Sequence, residues 1–219
     1  MSPRMLTAAT ASVILMLLVL GAALRPLVLP ESGSTPPILT TTEIGFVQDM
    51  TVHHQQALIM VQRLDSAVDP TIRRLAEQID HTQHVEIGTM LGWLRLADAA
   101  PVSTHPMAWM HTTEPVAHGH RKAVSANPGT ADAAASMPGM ASTAELDALA
   151  AARGLEAEIL FLQLMMRHHE GGIVMAQAID ELVESGPVKQ IARSMIHAQS
   201  QEVGLMGILL MQRGAEPMQ

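Results

Sequence analysis

The chain has no cysteine. Disulfides, thiolate zinc centres and cysteine nucleophiles are therefore excluded. Tyrosine is absent too, and Phe46, Phe161, Trp93 and Trp109 are the whole aromatic set. Core volume must then come from aliphatic residues and from methionine, of which there are 17 among 219 residues. Basic residues are short as well, 13 against 21 acidic ones, for a formal net charge of −8. That balance argues against nucleic acid as a partner. The chain carries neither a Gly-rich phosphate loop nor a G-x-S-x-G nucleophile elbow, and nothing in it calls for an organic cofactor.

Long apolar runs are scarce, with one exception. Met5 to Leu24 carries no charge and is about as long as the roughly 20 residues a bilayer crossing needs. Arg4 precedes it and Arg25-Pro26 follows. Residues 1–25 read as an N-terminal transmembrane anchor. The rival is a cleaved signal, for which Gly21-Ala22-Ala23-Leu24 is a poor cleavage pattern. Residues 26–39, including Glu31 to Pro37, read as a tether. The expected location is the cell membrane, single-pass, with the remainder on the extracytoplasmic side, or a secreted or periplasmic protein if the segment is cleaved.

What is present in abundance is internal repetition. Glu43, Ile44, Phe46, Gln48, Met50, His53, His54 and Met60 recur 115 positions later as Glu158, Ile159, Phe161, Gln163, Met165, His168, His169 and Met175. After a one-residue slip at Asp69-Pro70 and Gly186-Pro187, the match continues at an offset of 116: Ala76, His81, Gln83, Glu86, Gly88, Met90 and Leu94 pair with Ala192, His197, Gln199, Glu202, Gly204, Met206 and Leu210. A duplicated unit of two elements joined by a short turn follows.

Both elements read as helices. Thr40-x-x-Glu43 is a capping box that starts the first near Thr41, and it should run to about Ala67. Asp69 caps a second, with Pro70 at its first position, reaching about Ala99. Ser142-x-x-Glu145 opens a third stretch, with Gly154 as a break, that ends near Glu184. Gly186-Pro187 starts the last, to about Arg213. Two hairpins of this size predict an all-α four-helix bundle, with residues 40–100 and 142–214 as the two repeats and 215–219 as a tail. The linker 101–141 is rich in Pro, Ala, Thr and Ser yet carries His105, Met107, Met110, His111, His118, His120, Met137 and Met140. It is either a plain spacer or a set of loose capture ligands.

Residues three and four apart on a helix share a face. Met50, His53 and His54 therefore cluster, with Met60 beyond them, and Met165, His168, His169 and Met175 repeat the arrangement. On the second helices, Glu86 and Glu202 interrupt apolar stripes, where a carboxylate is costly unless paired or bound. Each could hold a His ring for a metal, and His81 and His197 lie in matched positions nearby. Imidazole with thioether suits copper, Cu(I) above all, with silver by analogy. A di-iron centre would need Glu-x-x-His on two helices, but Asp80 follows Glu77 and Thr89 follows Glu86 at that spacing. The competing reading needs no metal: the doublets are buried His/Glu contacts that clamp a structural or protein-interaction module, and methionine is core filler.

The doublet phrases, together with Met137-Pro-Gly-Met140 ahead of the second repeat, resemble the bacterial family called domain of unknown function 305. The resemblance spans Thr41 to Arg213 apart from the middle of the linker. It implies a secreted or surface protein made of two similar hairpins in a ferritin-like bundle, with copper binding in some members. His53, His54, His168 and His169 take the motif positions, and Met50, Met60, Met165 and Met175 the flanking ones. Gly171-Gly172 and Gln56-Ala57 depart from the family's usual Gly-Ala. The expected function is copper sequestration or transfer by an extracytoplasmic bundle, not catalysis. Alkaline phosphatase fused after Pro37 should be active, and an inactive fusion would count against the outside location.

Overall fold

The computed structural model describes residues 14–21, 37–111 and 137–218, and among these every regular element is helical. In chain order they are α1 (Thr41–Arg63), α2 (Pro70–Leu96), a one-turn 3-10 helix (Ala108–His111), α3 (Thr143–Ala151), α4 (Gly154–Leu182) and α5 (Pro187–Gln212). Residues 38–219 form one unit. Residues 14–21 are helical; the rest of Met5–Leu24, where an anchor is expected, lies outside the described residues. Among the described residues, no helix is long and apolar enough to cross a membrane.

The predicted caps set the helix starts. Thr40 and Glu43 exchange bonds, Glu43 N to Thr40 Oγ1 at 3.2 Å and Thr40 N to the Glu43 carboxylate at 2.7 Å. Ser142 and Glu145 do the same, and Asp69 accepts from Thr71 N at 2.7 Å. The ends differ from expectation. α1 stops at Arg63 because Leu64 turns extended and Asp65 diverts its carboxylate to Ala67 N and Gly154 N, a local bond that competes with the helix. α2 stops at Leu96. Asp98 takes a φ of 52° and Ala99 N returns to Leu94 O at 2.9 Å, a C-terminal closure. The third stretch divides into α3 and α4, because Ala152 and Arg153 are extended and Gly154 has a φ of 53°.

α1 pairs with α2 and α4 with α5, and the hairpins meet through α1 and α4. These two run antiparallel. The C-terminal end of α1 meets the start of α4, where Gly154 N reaches Asp65 and Asp69 N reaches Glu158 at 2.7 Å. Burial follows the same geometry. One apolar cluster holds Met60 with Met165 and Met206; the other holds Met50, Met90, Met107, Met137, Met175 and Met195. Each cluster therefore joins the methionine before one doublet to the methionine after the other. The duplication extends further than the residue matches suggest: Gln48 Nε2 donates to Ala100 O and Gln163 Nε2 to Glu216 O, both at 2.7 Å.

Both described ends of the linker are fastened to α1. Asp49, buried, accepts from Met107 N at 2.6 Å and Trp109 Nε1 at 2.9 Å, and Trp109 packs edge-on against Phe46. Residues 137–141 form a strap. Gln56 clamps Ala141 through both backbone groups, at 2.9 and 2.6 Å. Gly171 lets the strap lie against α4, since a Cβ there would collide with Pro138 O. Gly171→Ala should cost on the order of 1–3 kcal/mol, the range for overpacking. Gly88→Ala, with open space around it, should gain up to about 1 kcal/mol from helix propensity. Thermal and urea unfolding of the two variants checks both signs.

Candidate metal centre

The two doublets come together where α1 crosses α4. The rings of His53 and His168 stack with centroids 3.8 Å apart and planes tilted by 30°. His54 and His169 point away from this pair, each to its own hairpin partner: His54 Nε2 lies 2.7 Å from Glu86 Oε2 and His169 Nε2 2.9 Å from Glu202 Oε2. The central pair bonds to backbone instead. His168 Nε2 lies 3.0 Å from His53 O, and His53 Nε2 lies 3.1 Å from Pro138 O in the strap. A carbonyl or carboxylate only accepts, so Nε2 carries the proton in each ring. In the neutral ring, Nδ1 is then a bare lone pair.

All four Nδ1 atoms are buried with no hydrogen-bond partner, and so are Gln83 Oε1 and Gln199 Oε1. The six atoms are three twin pairs under the duplication. An unpartnered buried polar group costs about 1–3 kcal/mol. Six would approach the whole stability of a domain, about 5–15 kcal/mol. Such a centre favours a donor, an ordered water or a cation.

The central rings are suited to the last. Burial, reinforced by repulsion from His54, lowers the His53 pKa to about 3, against the raising effect of the Pro138 bond. Burial, then His53, drives His168 well below its ordinary value. Both rings are neutral at pH 7, and a neutral imidazole whose other nitrogen is tied to oxygen is the form that ligates metal. Among the described residues, however, no three His, Asp or Glu groups are already gathered as a metal site. Any metal would need donors of another kind, thioether or amide, or rearranged rings.

The family model for a domain of unknown function, DUF305, matches residues 43–210. The chain belongs to the DUF305 family. A candidate secreted DUF305 protein from Streptomyces coelicolor has a similar structure, at 37% identity and a TM-score of 0.68 over 81% of this chain and 96% of that one. A DUF305 fragment from Deinococcus radiodurans is 28% identical, with a TM-score of 0.62 over 81% of this chain and 99% of that one. CopM in its Cu(I)-bound form shares the fold at 24% identity and a TM-score of 0.55, over 79% of this chain and 98% of that one. No curated protein matches.

Within this DUF305 chain the expected ligands separate into groups. His53, His54, His168 and His169 are buried at the crossing, with Glu86 and Glu202 on the outer two rings. Met50, Met60, Met165 and Met175 are fully buried in the flanking clusters. His81 and His197 are exposed on α2 and α5, and His197 bonds to Gln201 at 3.2 Å. Of the linker ligands, Met107 and Met137 are buried, while His118 and His120 lie outside the described residues. No role was legible in the sequence for Pro138, Gln56 or Asp49. Gln56 stood out only as a departure from the family pattern, Pro138 only within the linker phrase, and Asp49 only as an acid whose twin is the apolar Leu164.

A buried neutral histidine that protonates on unfolding makes stability fall with acid. Between the unfolded value of 6.5 and the folded value of about 3 for His53, the unfolded state binds the extra proton, at a cost on the order of 1 kcal/mol per pH unit. His168 acts in the same direction. Urea midpoints measured from pH 7 to 4 should decline, and His53→Gln with His168→Gln should flatten the slope. An unchanged slope would mean that the two rings do not stay neutral in the fold.

Proposed function

We propose that this DUF305 protein binds copper at the crossing of α1 and α4, for sequestration or transfer on the extracytoplasmic side. The observation that carries the reading is the set of four imidazole Nδ1 atoms, buried and unpartnered, in rings whose Nε2 is tied to an oxygen. His53, His54, His168 and His169 would be the nitrogen donors. Met50, Met60, Met165 and Met175 would supply thioether sulfur from the clusters on either side. Imidazole and thioether together suit Cu(I), and silver by the same softness. CopM, a protein of the same fold, has Cu(I)-, Cu(II)- and Ag-bound forms. Glu86 and Glu202 orient their rings rather than ligate.

The linker ends would add capture ligands: Met107 and Met137 sit in the methionine-dense cluster, and Met110 and Met140 pack against it. Exposed His81 and His197 would take no part in the buried centre. Membrane tethering through Met5–Leu24 belongs to the same proposal, and the secreted form is its alternative. The name of the Streptomyces coelicolor protein supports that alternative.

A second reading has its own support. Every Nε2 already has an oxygen partner, and the rings of His53 and His168 pack directly on each other. The doublets would then be polar clamps that set the crossing of two hairpins.

Anaerobic loading with Cu(I) against a competing chelator separates the readings. Wild type should retain copper, and a variant with all four doublet histidines changed to Ala should lose tight retention. A folded wild-type protein that retains no copper would leave only the clamp.

A further inference from the structure

Two orphaned atoms of the centre are not imidazole. Gln83 and Gln199 are 3% and 4% exposed, and the Oε1 of each is buried without a partner. Both stand at matched positions in stripes of α2 and α5 that are apolar apart from them and from Glu86 and Glu202. A methionine or leucine there would fill the space without burying an unsatisfied carbonyl oxygen.

The two halves are not equivalent, and the difference points to Gln199. A Cβ built on Gly172 would lie 2.5 Å from Gln199 Oε1, 3.3 Å from its Cδ and 3.2 Å from His53 Cε1. The missing side chain at Gly172 is therefore the space that the Gln199 amide occupies, beside the edge of the His53 ring. Its twin is Ala57, fully buried, where a methyl group stands in the corresponding place. Glycine at 172 thus places the Gln199 carbonyl oxygen and the edge of the His53 ring around one point, where the other repeat has a methyl group.

An amide oxygen is a hard donor. Beside imidazole nitrogen it suits Cu(II), whereas thioethers suit Cu(I). We propose that Gln199, seated by Gly172, is an oxygen donor at the His53 centre and that it lets the site hold copper in the divalent as well as the monovalent state. The proposal rests on the copper reading above and names a residue and an oxidation state that the reading lacks.

The purified protein would be titrated with copper(II) chloride in air and with Cu(I) under nitrogen, and the Cu(II) form followed by electron paramagnetic resonance. Gln199→Leu should weaken Cu(II) retention at least about tenfold and alter the Cu(II) spectrum, with Cu(I) retention changed much less. The metal-free melting temperature should hold or rise, since an unpartnered carbonyl oxygen is removed. Gly172→Ala should act in the same direction on Cu(II), because the methyl displaces the amide. If Gln199→Leu does not fold, Gln199→Asn withdraws the carbonyl while keeping its polarity and should give the same Cu(II) loss.

Unchanged Cu(II) affinity and spectrum in these variants would overturn the proposal. So would equal loss of both oxidation states with a lower metal-free melting temperature, which marks a structural amide. Wild type that holds Cu(I) but not Cu(II) would overturn it while leaving the copper reading intact. Wild type that holds neither would remove the copper reading itself.

Discussion

The stack of His53 on His168 is the constraint around which the rest is arranged. Two imidazoles at 3.8 Å with no exposure to water cannot both be charged, because like charges in a poorly solvated interior repel strongly. Neutrality demands one proton per ring, and the backbone decides where it goes. His53 O takes one Nε2–H and Pro138 O the other. From that follow the tautomer, the direction of the bare lone pairs, and the need for a strap that ends over α1. The outer rings likewise donate from Nε2, to the Glu86 and Glu202 carboxylates.

Duplication built the frame, and departures from it built the centre. At equivalent positions, Gln56 clasps the strap while Gly171 makes room for it, Ala57 fills space while Gly172 opens it, and Asp49 receives the linker where Leu164 packs in the core. A symmetric pair of hairpins offers two equal faces to a connection that can lie on only one. The strap gives His53 a partner that the duplication alone could not: its symmetry mate bonds to His53 O, and no equivalent bond returns from His53 to His168 O.

The fold was legible because its signals are local or repeated. Thr40/Glu43 and Ser142/Glu145 fix helix starts within four residues, and the offset between doublets announces two like hairpins before any contact is known. The stacking of His53 on His168 was less legible, since periodicity gives a face but not the neighbour across it. The Pro138 bond spans 85 residues and uses a backbone oxygen, which no side-chain pattern encodes. Matching between repeats preserves surface positions as readily as buried ones, so recurrence did not show that His81 and His197 are exposed on α2 and α5.

The fastening of both linker ends to α1 has a consequence for how such a chain can change over generations. Asp49 holds the outgoing end at Met107 and Trp109, and Gln56 holds the returning end at Ala141. With the anchors on one rigid helix, their separation is set by α1 and not by the residues between them. Loop closure costs only about 0.6 kcal/mol more for each doubling of length. A change in the number of residues between Trp109 and Met137 would therefore leave both fastenings, and the bond from His53 to Pro138, in place.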